Sequence, residues 1–129
     1  PSACDAVLQA LQASSELTDA DRWARLRLAL TANAQGLARY LAEKLGRTLP
    51  ASELQAIVSA PASYLDSVSM DSRLDRELAV FAFVRLARTD LTGAAQRLER
   101  MQVRLGDEPA AFAWQQLGLA AARKLGRAD

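Results

Sequence analysis

Leu78-Ala79-Val80-Phe81-Ala82-Phe83-Val84 is the longest apolar run in the chain, and its reading decides the fold. Seven residues are far short of the ~20 that span a bilayer. The run lies inside a longer helical pattern. Ser72, with Asp75 three residues on, opens that pattern, and it continues to about Arg88. A helix that is apolar all round has to be covered on more than one side. This spacing therefore predicts a central helix with neighbours packed around it.

Composition points the same way. The 129 residues include 27 Ala and 21 Leu against 12 Val, Ile and Thr together. Ala and Leu favour helix, and β-branched residues favour strands. Six Gly and four Pro are too few for the turns of a sandwich or barrel. The expected class is all-α: antiparallel helical hairpins stacked as a superhelical or solenoid segment, with about seven helices, in a single domain spanning residues 1–129.

Downstream of the central run, Asp90 or Thr89 caps a helix from about Leu91 to Leu105. Leu91, Ala94, Ala95, Leu98, Met101 and Leu105 face inward, and Gly106 stops it. Pro109 suits the first turn of the last helix. Its predicted stripe is Ala110, Trp114, Leu117, Ala121 and Leu125. Upstream, Cys4, Val7, Leu8 and Leu11 mark a first helix from Cys4 to about Ala13. Thr18, Asp19 and Asp21 open a second, with Trp23, Leu26 and Leu30 inside. A third runs from about Ala34 to Leu45 with Leu37, Leu41 and Leu45 inside, before Gly46. Ser52–Ser59 is a short helix carrying Leu54, Ile57 and Val58. Pro61 ends it, and Ala62 to Val68 makes one or two further turns. The pairs at 19–45 and 72–105 resemble each other as hairpins ending in Leu-Gly, a repeat near 60 residues.

Several chemistries are excluded. There is no His, hence no Ser-His-Asp triad, Cys-His pair or His-ligated metal. One cysteine, Cys4, makes no internal disulfide. No Gly-rich phosphate loop occurs. No cofactor is expected. Sixteen basic against fifteen acidic residues give a net charge of +1, too balanced for a dedicated nucleic-acid binder. No transmembrane segment or signal peptide is legible. The chain opens at Pro1 without Met, as a processed or excised segment would.

Four collinear stretches resemble the N-terminal helical domain of soluble lytic murein transglycosylases. They are Cys4-Asp5-Ala6-Val7-Leu8; Arg25-Leu26-Arg27-Leu28-Ala29-Leu30 with Asn33 and Gly36-Leu37; Leu78 to Asp90; and Ala113-Trp114-Gln115-Gln116-Leu117-Gly118 with Ala121-Ala122-Arg123. The resemblance implies a U-shaped superhelix of helix pairs, joined in the parent protein to a lysozyme-like catalytic domain. The parent enzyme would be a periplasmic lyase that cleaves peptidoglycan between MurNAc and GlcNAc without water, leaving 1,6-anhydromuropeptides. That family's catalytic Glu stands in a Glu-Ser motif, followed later by Gly-Leu-Met-Gln. Neither occurs here, so no catalytic residue carries over, and the segment alone is expected to be an inactive scaffold that helps hold a glycan strand. The alternative is a stand-alone helical-repeat adaptor for a protein partner.

Candidate site residues are few. Arg97, Arg100 and Arg104 form a basic stripe, for carboxylate-bearing peptide stems or simply for solvent. Arg85 and Arg88 emerge from the most apolar helix; they either stretch their stems over apolar surface or pair with acids of a neighbouring helix, and structural pairing is favoured over ligand binding. Tyr40, beside its helix stripe, and Tyr64, in an irregular region, are the candidate sugar-stacking platforms. Trp23 and Trp114 fall on core stripes. Asp71 and Asp75 sit where a helix begins, and capping explains them better than acid–base work.

Overall fold

A computed structural model of the chain describes residues 18–127. Seven helices make up those residues: α1 (Asp19–Thr31), α2 (Gln35–Lys44), α3 (Ala51–Ser59), α4 (Pro61–Ser67), α5 (Arg73–Ala87), α6 (Leu91–Leu105) and α7 (Asp107–Arg127). There is no strand among them. The fold is all-α, and its arrangement is compatible with stacked helical hairpins. The helix read from Cys4 to Ala13, and Cys4 itself, lie outside the described residues.

The turns follow from local chemistry. Thr18 and Asp21 form a reciprocal capping box at the start of α1: the Asp21 N–H donates to Thr18 Oγ1 at 3.1 Å and the Thr18 N–H donates to Asp21 Oδ2 at 3.3 Å. Asn33, at φ +56°, ends α1. The N–H of Ala34 reaches back to the Ala29 carbonyl and that of Asn33 to the Leu30 carbonyl, which reverses the chain in a Schellman turn. Gly46, at φ +74°, ends α2 in the same way, with Arg47 bonding back to Ala42 and Gly46 to Glu43. Ser72 Oγ accepts from the Asp75 N–H at α5, and Asp90 Oδ1 accepts from the Gly93 N–H at α6. Asp90, not Thr89, is thus the cap of α6. Gly93 leaves room for that cap: a Cβ there would lie 2.1 Å from Asp90 Oδ2, so the Asp90 side chain would have to shift. Pro61 opens α4 as its first residue instead of merely ending α3, and Ala60 makes the break.

α5 is the central helix, as its apolar run requires. It packs against α1, α3, α4, α6 and α7. Leu78 to Phe83 are all buried, and Phe81 and Phe83 are the largest fully buried side chains. Trp23, Leu26 and Leu30 of α1 and Leu98 and Leu105 of α6 join this core.

Two predicted stripes are rotated. In α2 the buried face is Ala38, Leu41 and Ala42, while Leu37 is 55% exposed. In α7 it is Ala110, Ala113 and Leu117; Trp114 is 37% exposed and Leu125 more so. Both helices lie at the edges of the array, so the face they bury is set by one or two neighbours. Small Ala side chains let those neighbours approach closely. Trp114, expected in the core, instead donates from Nε1 to Gln102 Oε1 at 3.1 Å on the outside of the α6–α7 hairpin.

The sequence reading missed the one buried charge among the described residues. Glu77 of α5 is 2% exposed. Arg27 of α1 meets it with two parallel bonds, Nε to Oε1 and Nη2 to Oε2, both 2.8 Å. The third guanidinium nitrogen, Nη1, bonds to Glu108 at the start of α7, and the group lies 5.0 Å from the Phe112 ring centre. The bonds to Glu77, against the opposing cost of burial, hold the Arg27 guanidinium well above its ordinary pKa. One arginine thereby fixes three helices that are far apart in sequence.

Removing one member of such a pair strands the other. Arg27→Met should lower unfolding free energy in urea denaturation by about 3–5 kcal/mol. Arg27→Met combined with Glu77→Leu should regain most of that loss. A single-variant cost no larger than a surface substitution would contradict the assignment.

Candidate functional site

The arginine stripe of α6 faces α4 and the loop that follows it. Arg97 bonds to Asp66 through Nε at 3.1 Å and Nη2 at 3.4 Å. Arg104 Nη2 donates to the carbonyls of Val68 and Ser69 at 3.3 and 3.2 Å. The hydrogen bond from Arg97 lowers the Asp66 pKa, aided by the charges of Arg97 and Arg100. Arg97 and the exposed Arg104 are therefore engaged within the chain, and Arg100 is exposed without a side-chain hydrogen bond among the described residues.

The loop they grip is strained. Met70 has φ +61°, a left-handed conformation that costs a non-glycine residue of order 1 kcal/mol or more. Its side chain is buried, which anchors it. Arg76 Nη1 donates to the Met70 carbonyl at 3.1 Å, closing the clamp from the α5 side. Asp75 accepts from Ser69 Oγ at 3.0 Å, so it serves the α5 start and its loop. Asp71 precedes that start and lends its backbone carbonyl to Arg76. Both acids behave as helix-start residues.

Tyr64 lies in α4 with its ring against the core and its hydroxyl buried without a hydrogen-bond partner. Burial first, and then the charges of Glu53 and Asp75, raise its pKa. Burial also raises the Glu53 carboxyl, with Asp75 adding to it. Tyr40 is 48% exposed on α2, and Lys44 one turn on lies 5.3 Å from its ring centre. It borders an apolar groove with Leu28 and Leu37 on the outer side of the first hairpin. Of the two tyrosines, Tyr40 keeps a ring accessible from outside. Trp23 is core, as expected, with Arg73 and Arg47 over its ring at 4.6 and 5.9 Å.

Arg85 and Arg88 do not find the acids expected for them: neither has an ion-pair partner among the described residues. Arg88 instead lines a groove with Arg123, Lys124 and Arg127 of α7. None of the last three is among the candidate site residues read from the sequence; all fall in the final turns of a helix, where cations are ordinary.

Among the described residues no group of three or more Cys, Asp or Glu side chains is placed to hold a metal ion, and no helix is long and apolar enough to cross a membrane. The chain matches no family model, no curated protein and no solved structure.

The buried Tyr64 hydroxyl generates a direct expectation. An unsatisfied buried polar group costs about 1–3 kcal/mol. Tyr64→Phe should therefore leave stability unchanged or raise it, read as an equal or higher Tm. A marked fall in Tm would mean that the hydroxyl has a bonding partner.

Proposed function

We propose that this chain is a non-catalytic helical scaffold segment of a soluble lytic murein transglycosylase, acting in the periplasm on behalf of a covalently linked lysozyme-like domain. The four collinear stretches support the reading, as does an all-α hairpin array of the kind the family's helical domain uses. The observation that carries it furthest is where apolar surface remains exposed. Leu28, Leu37 and Tyr40 lie on the α1–α2 hairpin; Val103, Trp114, Leu119 and Leu125 lie on α6 and α7. No exposed large apolar side chain falls on α3, α4 or α5. Exposed apolar surface concentrated on the first and last described hairpins is what further stacked helices would cover.

The mechanism under this reading is geometric. The array contributes part of a curved wall, and the lysozyme-like domain cleaves the MurNAc–GlcNAc bond of the strand held beside it. Tyr40 is the side chain best placed to stack on a sugar face, because its ring lies at the surface beside an apolar groove.

The reading frame of the parent gene tests the proposal. Glu-Ser and, further on, Gly-Leu-Met-Gln should be encoded downstream of Asp129, and the purified 129-residue chain should release no 1,6-anhydromuropeptides from sacculi. A stop codon close behind Asp129 would overturn the scaffold reading in favour of a stand-alone adaptor binding through the Leu28–Leu37–Tyr40 groove. Release of anhydromuropeptides by the chain alone would overturn its non-catalytic part.

A further inference from the structure

Two helix C-termini meet around one concavity. α5 ends at Ala87 with Arg88 as its C-cap, and α7 carries Arg123, Lys124 and Arg127 on its last two turns. These four cations line a groove of about 630 Å³ together with Leu91 and Ala120. That volume lies in the range of small-molecule sites, roughly 300–1,000 Å³.

Each cation taken singly has a local reason to be there, since the negative end of a helix dipole favours positive charge. The dipoles do not account for bringing the two ends together. Within ~10 Å, charges at 0.1 M salt are poorly screened, so four like charges around one groove repel. No carboxylate lines the groove among the described residues. Asp90, the acid closest to Arg88 in sequence, caps α6 through Gly93 and does not line the groove. Elsewhere the protein neutralises its more buried arginines internally, Arg27 with Glu77 and Glu108 and Arg97 with Asp66.

We propose that this groove is a binding site for a small multivalent oxyanion, a phosphate or polycarboxylate compound. The Arg88 and Arg123 guanidinium groups provide forked donors that suit either oxyanion. Lys124 adds charge, as does Arg127, whose Nε donates to the Arg123 carbonyl at 3.3 Å, and Leu91 and Ala120 give apolar lining for the body of the ligand. The proposal stands independently of the transglycosylase reading: Arg88 and Arg123 fall within stretches that carry that resemblance, but it assigns them no role that the resemblance implies.

Calorimetric titration of the purified chain at constant low ionic strength tests it, with inorganic pyrophosphate and citrate as separate probes. Saturable one-to-one binding of at least one probe is expected. Arg88→Gln combined with Arg123→Gln should weaken it at least tenfold. Removing the same charge from the first hairpin, by Arg25→Gln with Lys44→Gln, should change it less than twofold. Binding of pyrophosphate alone assigns a phosphate ligand, and binding of citrate alone a polycarboxylate. Failure of both probes to saturate, or equal weakening by the two double variants, would overturn the site. All four substituted side chains stand at the surface, and circular dichroism of each variant checks that the helices are retained.

Discussion

A carboxylate placed in the flank of a helix that is buried on every side leaves the chain little choice. Glu77 immediately precedes the apolar run of α5, and the helix cannot bury Leu78 to Phe83 without burying Glu77 too. A buried charge without a partner is costly enough to prevent the packing. Arg27 resolves this with a two-bond fork, and its remaining nitrogen and its flat face are taken by Glu108 and Phe112. A buried pair of this kind contributes little net stability compared with apolar side chains of similar size. What it does here is restrict register. Sliding α1 along α5 by one turn separates Arg27 from Glu77 while leaving the apolar contacts partly intact.

That constraint gives a helical array an uncommon degree of long-range coupling. In stacked hairpins each unit mainly touches its neighbours, and stability is close to a sum of local terms. Here the ion pairs of Arg27 link residues 50 and 81 positions apart. The first hairpin, the central helix and the last helix are thus tied at one point. A second tie lies close by in sequence, where Arg73 of α5 and Arg47 beyond α2 cover the Trp23 ring of α1. The α4–α5 loop is held by Arg76 and Arg104. Most of the structurally engaged arginines therefore work between elements and not along one helix. The basic groove at the far ends of α5 and α7 stands apart from this pattern.

Much of the fold was legible in the sequence. Helix starts at Thr18, Ser72 and Asp90 were readable because a short polar side chain followed three residues later by a backbone N–H in need is a local event. The centrality of α5 was readable because an apolar surface all round a helix has one physical outcome. The stripes of α2 and α7 were less legible. A stripe drawn from large residues assumes that large residues are buried, whereas Ala38, Ala42, Ala110 and Ala113 face the neighbours and Leu37 and Trp114 do not. The candidate site was the least legible part. Arg97 and Arg104 look like a solvated face along α6, and only the position of α4 and its loop shows them gripping Asp66 and two carbonyls. Arg27 carried no reading of its own in the sequence; Glu77, adjoining a helix buried all round, was the available signal that a cation had to turn inward.

Native-state hydrogen exchange measures this coupling directly. If Arg27 locks α1 to α5, the amides of residues 26–30 and 78–86 should open together, at the free energy of global unfolding. Exchange of the α1 amides through a separate, lower-energy opening while α5 stays protected would contradict the account. The first hairpin would then be an independently opening unit, and the Arg27–Glu77 pair would not be the constraint that holds the array in register.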